Sequence, residues 1–172
     1  MPFIRTYTAI VGALVLIAGM PANASAQMFI ATGHDTLRGL PGVEVAVESF
    51  EANLEHDGLA QGAIQSEIVR RLRAGGVAVY GSQNENPSEA KPYLYVDVNG
   101  VRVPGQDLYA IALQVQLRQT LRSPVTGSNI VDAMTWDART VLVVKSNNLA
   151  AVGDTIKEYV DHFIQDWMTV HR

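Results

Sequence analysis

No cysteine occurs among the 172 residues. That excludes disulfides to staple loops, a thiol nucleophile and a lipidated cysteine after an export signal. Basic residues are also in short supply. Thirteen Lys and Arg stand against 17 Asp and Glu, for a formal net charge of −4. A mildly acidic chain without a basic run is poor material for coating a phosphate backbone, which argues against nucleic acid as a partner. Internal repeats and low-complexity tracts are missing too.

Recognisable chemistry is equally scarce. The four histidines, at 34, 56, 162 and 171, never pair at three- or four-residue spacing. Glu55-His56-Asp57 is the densest local cluster, yet Asp57 has a simpler role as the cap of a following helix. No serine sits in a strand-to-helix nucleophile elbow. Gly75-Gly76 follows a helix pattern rather than preceding one, so it is no phosphate-cradling loop. Glu44, Glu48 and Asp97 could be assembled as paired carboxylates, but strand periodicity already explains them as solvent-facing residues. The reading is of a protein that is no enzyme, with no catalytic residue, no metal site and no cofactor.

What the chain does have begins at its start. MPFIR is followed by Ala9 to Met20 without a polar residue, then Pro21 and Ala24-Ser25-Ala26. A basic start, an apolar stretch and a small-x-small site describe a secretory signal peptide. The apolar stretch would span roughly 18 Å as a helix, short of a bilayer core of about 30 Å. Cleavage is expected between Ala26 and Gln27, leaving a protein without a membrane span, soluble in the periplasm or secreted. Loss of residues 1–26 removes one basic residue, Arg5. The 146 residues that remain carry 12 basic and 17 acidic groups, a net charge of −5. That is the size of one domain.

Residues 27–42 hold turn formers and no sustained period, which reads as a loose arm ahead of a single domain at 43–172. Val43, Val45 and Val47 alternate with Glu44, Ala46 and Glu48, marking a strand. Glu51 to Asp57 is polar and breaks the pattern. Leu59, Ala63, Ile64, Ile68 and Leu72 fall at helical spacing, and Gly75-Gly76 ends that helix. Val77–Tyr80 is a short second strand, giving a β-α-β unit with parallel strands. Gly81–Pro92 is a loop by its turn residues.

Tyr93 to Leu121 shows the cleanest period in the chain, two strands joined by a turn-rich connection. After a turn at Ser123–Asn129, Met134, Trp136, Ala138, Leu142 and Val144 share one side of a fifth strand. Val141 and Val143 interrupt its wet side with apolar groups, which implies either a cover or a bulge. A final amphipathic helix is expected to start at Asn147-Asn148, with Leu149, Val152, Ile156, Tyr159, Val160, Phe163, Ile164 and Trp167 as its stripe. The expected fold is α+β, a two-layer sandwich of order β-α-β-β-β-β-α. A mixed five-stranded sheet carries two helices on one face.

Helices on one side leave the other side of the sheet open. Tyr93, Tyr95, Gln114, Gln116, Arg118 and Arg139 fall on that side by alternation. Tyrosine and arginine are enriched at interfaces, and a flat face or uncovered edge can receive another chain. These six are the candidate partner-binding residues. The competing reading is an ordinary solvated antiparallel face.

The segments GL…E…RLRAGGV, PYLYVDVN, YAIALQVQLRQ and NNLA…I…V..FI.D resemble a group of small exported bacterial proteins without an assigned activity. Over the same element order the chain is similar, in pattern only, to the TolB N-terminal domain and related periplasmic envelope modules. That resemblance implies a non-enzymatic module of a periplasmic assembly and transfers no site. The open face of the sheet, or its edge, is the expected place to bind another envelope component or a second copy. The alternative is a small-ligand or metal-binding periplasmic protein, with a pocket between the helices and the loops at 51–57 and 81–92.

Overall fold

The structure is a computed structural model that describes residues 29–31 and 33–172. The expected signal segment and cleavage site therefore lie outside the described residues. Strands are β1 (Phe29–Ala31), β2 (Val43–Val47), β3 (Val79–Tyr80), β4 (Tyr93–Arg102), β5 (Leu108–Arg122) and β6 (Asn129–Lys145). Helices are α1 (His34–Leu37), α2 (Ala52–His56), α3 (Gln61–Ala74) and α4 (Ala150–Val170). The order across the sheet is β1-β6-β5-β4-β2-β3. β2 runs parallel to β3 and β4, and the remaining pairs are antiparallel. The α+β class and the mixed sheet with helices on one face are as the periodicity predicts. Residues 29–31 add a sixth strand, and α1 forms within the stretch read as a loose arm.

Alternation puts Leu94, Val96, Val98, Ile111, Leu113, Val115, Leu117, Trp136 and Ala138 on one face, and all are buried there. α4 lies over this face because its apolar residues recur every three or four positions. Val152, Ile156, Tyr159, Val160, Phe163 and Trp167 are buried. The Trp136 and Phe163 rings meet edge-on at 5.2 Å, and Trp136 Nε1 donates to Asp166 Oδ2 at 2.8 Å. Each large side chain buried here contributes about 1.5–3 kcal/mol. Leu54 of α2 packs onto the sheet at Gly100, where a Cβ would stand 2.9 Å from Leu54 and Ile111 methyl carbons. Only glycine admits Leu54 at that depth.

Three local expectations change. Asp57 does not cap α3, whose first turn follows Ala60 with no side-chain cap. The polar stretch 51–57 instead folds into α2, and Asp57 accepts a 2.8 Å hydrogen bond from the Tyr109 hydroxyl. Its carboxylate satisfies a phenol whose ring is in the core, a long-range need that local sequence does not show. Met134 is not on the core side. The β5–β6 register shifts between Leu117↔Trp136 and Arg118↔Met134, so Thr135 is an extra residue and Met134 turns outward, 49% exposed. Finally, the last helix starts after a 3-10 turn at Ser146–Asn148 rather than on the asparagines themselves.

Candidate functional site

The face opposite the helices is built from cross-strand rows, since paired residues on neighbouring strands project together. Starting at the β5–β6 bulge, the rows across β4, β5 and β6 are Tyr93–Arg118–Met134 and Tyr95–Gln116–Asp137. Then come Asp97–Gln114–Arg139, Asn99–Ala112–Val141 and Val101–Ala110–Val143. All six candidate residues fall in the first three rows. The alternation therefore groups them correctly.

Within those rows the polar groups largely satisfy one another. Arg118 Nε donates to Gln116 Oε1 at 2.9 Å, Gln116 Nε2 to Gln114 Oε1 at 3.0 Å, and Gln114 Nε2 to Asp97 Oδ2 at 2.6 Å. The Arg118 guanidinium also lies 4.4 Å from the Tyr95 ring centre and 3.1 Å from Asp132 Oδ2. Tyr93 donates its hydroxyl to Asp132, and Tyr95 donates to Glu48 at the end of β2. That bond to Glu48, then burial, pushes the Tyr95 phenol up to about 12. Burial first, then the bond to Asp132, also raises Tyr93.

A chain of amides bonded in one direction is a rigid floor rather than a set of free donors. Gln116 is only 6% exposed, which leaves little of it for a partner to touch. Asp137 beside it is 2% exposed. Arg139 Nε lies 3.4 Å from Asp137 Oδ2, near enough for charge attraction, yet that oxygen lacks an aligned hydrogen bond.

The last two rows are different. Val101 is 68%, Val141 66% and Val143 59% exposed, with Ala110 and Ala112 between them. Pairing of β5 with β6 is unbroken from Leu108↔Lys145 to Leu117↔Trp136. Neither a bulge nor a described cover accounts for Val141 and Val143. They stand in regular strand with their side chains in solvent, as part of a five-residue apolar patch three strands wide. Single exposed apolar residues need no explanation, but a contiguous flat group marks an interaction surface. The only sequence signal for it was the broken alternation at 141 and 143. The contribution of Val101, Ala110 and Ala112 depends on register, which local spacing does not show.

The two sides of the sheet also differ in how their strand edges are treated. Gln61 Nε2 on α3 donates to the Val47 carbonyl at 2.7 Å, and Gln65 Nε2 to that of Val45 at 3.3 Å. These amides block the outer edge of β2 beyond its short pairing with β3. On the other side β1 covers only Asp137–Arg139 of β6.

A separate groove of about 250 Å³ opens between α3 and α4, lined mainly by Leu59, Ala63, Ile64, Leu149, Gly153 and Ile156. It lies between the starts of the two helices rather than beside both loops at 51–57 and 81–92. Among the described residues no group of three or more His, Cys, Asp or Glu is placed to hold a metal ion. No described helix is long and apolar enough to cross a membrane.

No protein-family model matches this chain, and no curated protein matches it. Among solved structures it is similar to a single-substitution variant of the PelC dodecamer from Paraburkholderia phytofirmans. Identity is 18% and the TM-score 0.48, over 82% of this chain and 99% of that one. It is similar to the PelC dodecamer of the same organism at 18% identity and a TM-score of 0.45, over 76% and 90% of the two chains. These are likenesses of outline, too distant for a shared function to follow.

Proposed function

We propose that this protein is a non-enzymatic interaction module of the periplasm or the extracellular space. It binds another envelope component through the helix-free face and adjoining edge of its sheet. The observation that carries this reading is the apolar patch of Val101, Ala110, Ala112, Val141 and Val143 beside a hydrogen-bonded polar floor. An apolar centre with a polar surround is the usual composition of a protein interface. Tyr93, Tyr95, Gln114, Gln116, Arg118 and Arg139 then act as the rim and its rigid support.

The test is capture from an envelope extract with three baits. They are the wild type, Val101→Lys/Val141→Lys, and Tyr95→Ala/Gln116→Ala/Arg118→Glu, each shown by circular dichroism to be folded. A partner retained by wild type should be lost with the lysine variant and weakened with the triple variant. Identical captured proteins from all three baits would sink the reading.

The groove between α3 and α4 favours a second reading, a binder of a small apolar ligand, because ligand sites are concave and mostly apolar. A thermal-shift screen against envelope lipids and metabolites separates the two. A tight ligand raises the melting temperature by mass action, whereas a protein-binding module leaves it unchanged.

A further inference from the structure

The edge of β6 that no described strand covers defines what kind of segment would bind there. Ser146 N donates to Asp107 O at 3.2 Å, so Ser146 stands in a hydrogen-bonded pair across from β5. In an antiparallel ladder such pairs alternate with pairs that point their backbone groups the other way. Val144, Leu142 and Thr140 therefore bond towards β5, and Val141, Val143 and Lys145 turn their N–H and C=O groups outward. β1 takes up this outer side of β6 at Asp137 to Arg139, with Phe29 opposite Arg139, Ile30 opposite Ala138 and Ala31 opposite Asp137. No described strand pairs with the outer side of β6 beyond Arg139.

The side chains at this edge have a regular order. Arg139, Val141, Val143 and Lys145 project from the open face at two-residue steps, with exposed cations on both sides of two exposed valines. Lysine and arginine beside an apolar pair also oppose pairing with a second copy. In the antiparallel register that sets Val141 against Val143 of the second copy, Arg139 would face Lys145. Like charges directly opposite are destabilising.

We infer that the Thr140–Lys145 edge accepts an extended segment of a partner protein as an additional strand. That segment carries acidic residues on both sides of two alternating apolar residues. The inference rests on the proposed function and narrows it to one edge and one charge pattern. Backbone bonds to Val141, Val143 and Lys145 supply affinity, and alternate side chains supply specificity. One acidic side chain stands opposite Lys145, and the apolar pair extends the Val141/Val143 patch. Phe29 holds the ladder position opposite Arg139, so the second acidic side chain reaches that guanidinium diagonally across the open face, from beyond the paired stretch.

The test uses two blocked seven-residue peptides and amide NMR of the chain that begins at Gln27. One peptide has glutamate at both ends, valine at the third and fifth positions and threonine elsewhere; the other has lysine at both ends. The glutamate peptide should shift the amides of Val141, Val143 and Lys145 and bind roughly tenfold more tightly than the lysine peptide. Lys145→Glu should reduce that preference. Val143→Pro removes one outward N–H without touching a bond to β5, and it should abolish binding while the spectrum stays folded.

Equal binding of the two peptides, or none at millimolar concentration, overturns the inference. So does slow exchange of the Val141 and Val143 amides in the free monomer, which would mean that the chain preceding Phe29 already pairs along this edge. A dimer seen by gel filtration and abolished by Val143→Pro would make a second copy the occupant, and also overturns it. If Val143→Pro retains an envelope partner that Val101→Lys/Val141→Lys loses, the docking face stands and only the edge fails. If both retain it, both proposals fail.

Discussion

Arg118 lies over the ring of Tyr95, 4.4 Å from its centre, while the Tyr95 hydroxyl is donated to Glu48. One side chain is thus held from two directions, and its titration reports the Glu48 bond, whose upward effect outweighs the lowering by the Arg118 charge. The Tyr95 phenol, pushed up to about 12, keeps its proton in the folded state where an unfolded tyrosine near 10 has lost it. A raised value contributes stability that is fully present below about pH 10 and disappears as pH rises through about 12. In a phenolate absorbance titration, Tyr95→Phe should remove a component with a midpoint near 12. A lost component with an ordinary midpoint near 10 would show that Glu48 does not hold the hydroxyl in solution.

Glu67 is the acid-side counterpart. Hydrogen bonds from Arg70 and then Arg71 hold its carboxyl down to about 2. A lowered value contributes stability present above the unfolded value of 4.5 and lost as pH falls through about 2. Glu67→Gln should therefore be less stable than wild type at neutral pH and indistinguishable from it below about pH 2. Urea midpoints at the two conditions measure this. A gap that persists unchanged into acid would contradict the pairing.

Trp167 is 6% exposed and packs on Phe163 at 6.0 Å and on His171 at 4.2 Å. Its truncation to alanine leaves a large void beside the end of the sheet. We expect Trp167→Ala to cost about 3–5 kcal/mol in denaturant unfolding. A loss below about 1 kcal/mol would mean that this end of α4 is not core.

Gly100→Ala should destabilise by about 1–3 kcal/mol, the usual cost of overpacking. The added methyl needs space that Leu54 and Ile111 occupy at 2.9 Å. Leu54→Ala in the same chain should recover part of that loss, so the double variant should be less destabilised than the two single effects added together. Simple additivity in a double-mutant cycle would show that Leu54 is not what the new methyl meets.

Period-two and helical patterns make most of the fold legible in the sequence. Leu94 to Val98 and Tyr109 to Leu117 are strands because alternation leaves no other way to bury one set of side chains. The stripe from Val152 to Trp167 forms a helix for the corresponding reason. Asp57 departs from its local pattern because spacing describes only a helix cap, whereas the partner that needs its carboxylate, Tyr109, is 52 residues away. Met134 departs from its spacing because the extra residue at Thr135 changes the phase between the two sides of the bulge, and nothing near Thr135 announces one.

Wherever a strand runs without a bulge, the sequence by itself determined which residues share a face, because a strand's geometry turns spacing directly into sidedness. It therefore grouped Tyr93, Tyr95, Gln114, Gln116, Arg118 and Arg139 correctly. Only the tertiary structure decided what each of them is free to do. Register set Gln114, Gln116 and Arg118 in a chain of internal bonds, and it brought Val101, Ala110, Ala112, Val141 and Val143 from three strands into one patch. Hydrogen bonding and exposure depend on cross-strand partners distant in the chain, which local periodicity does not encode.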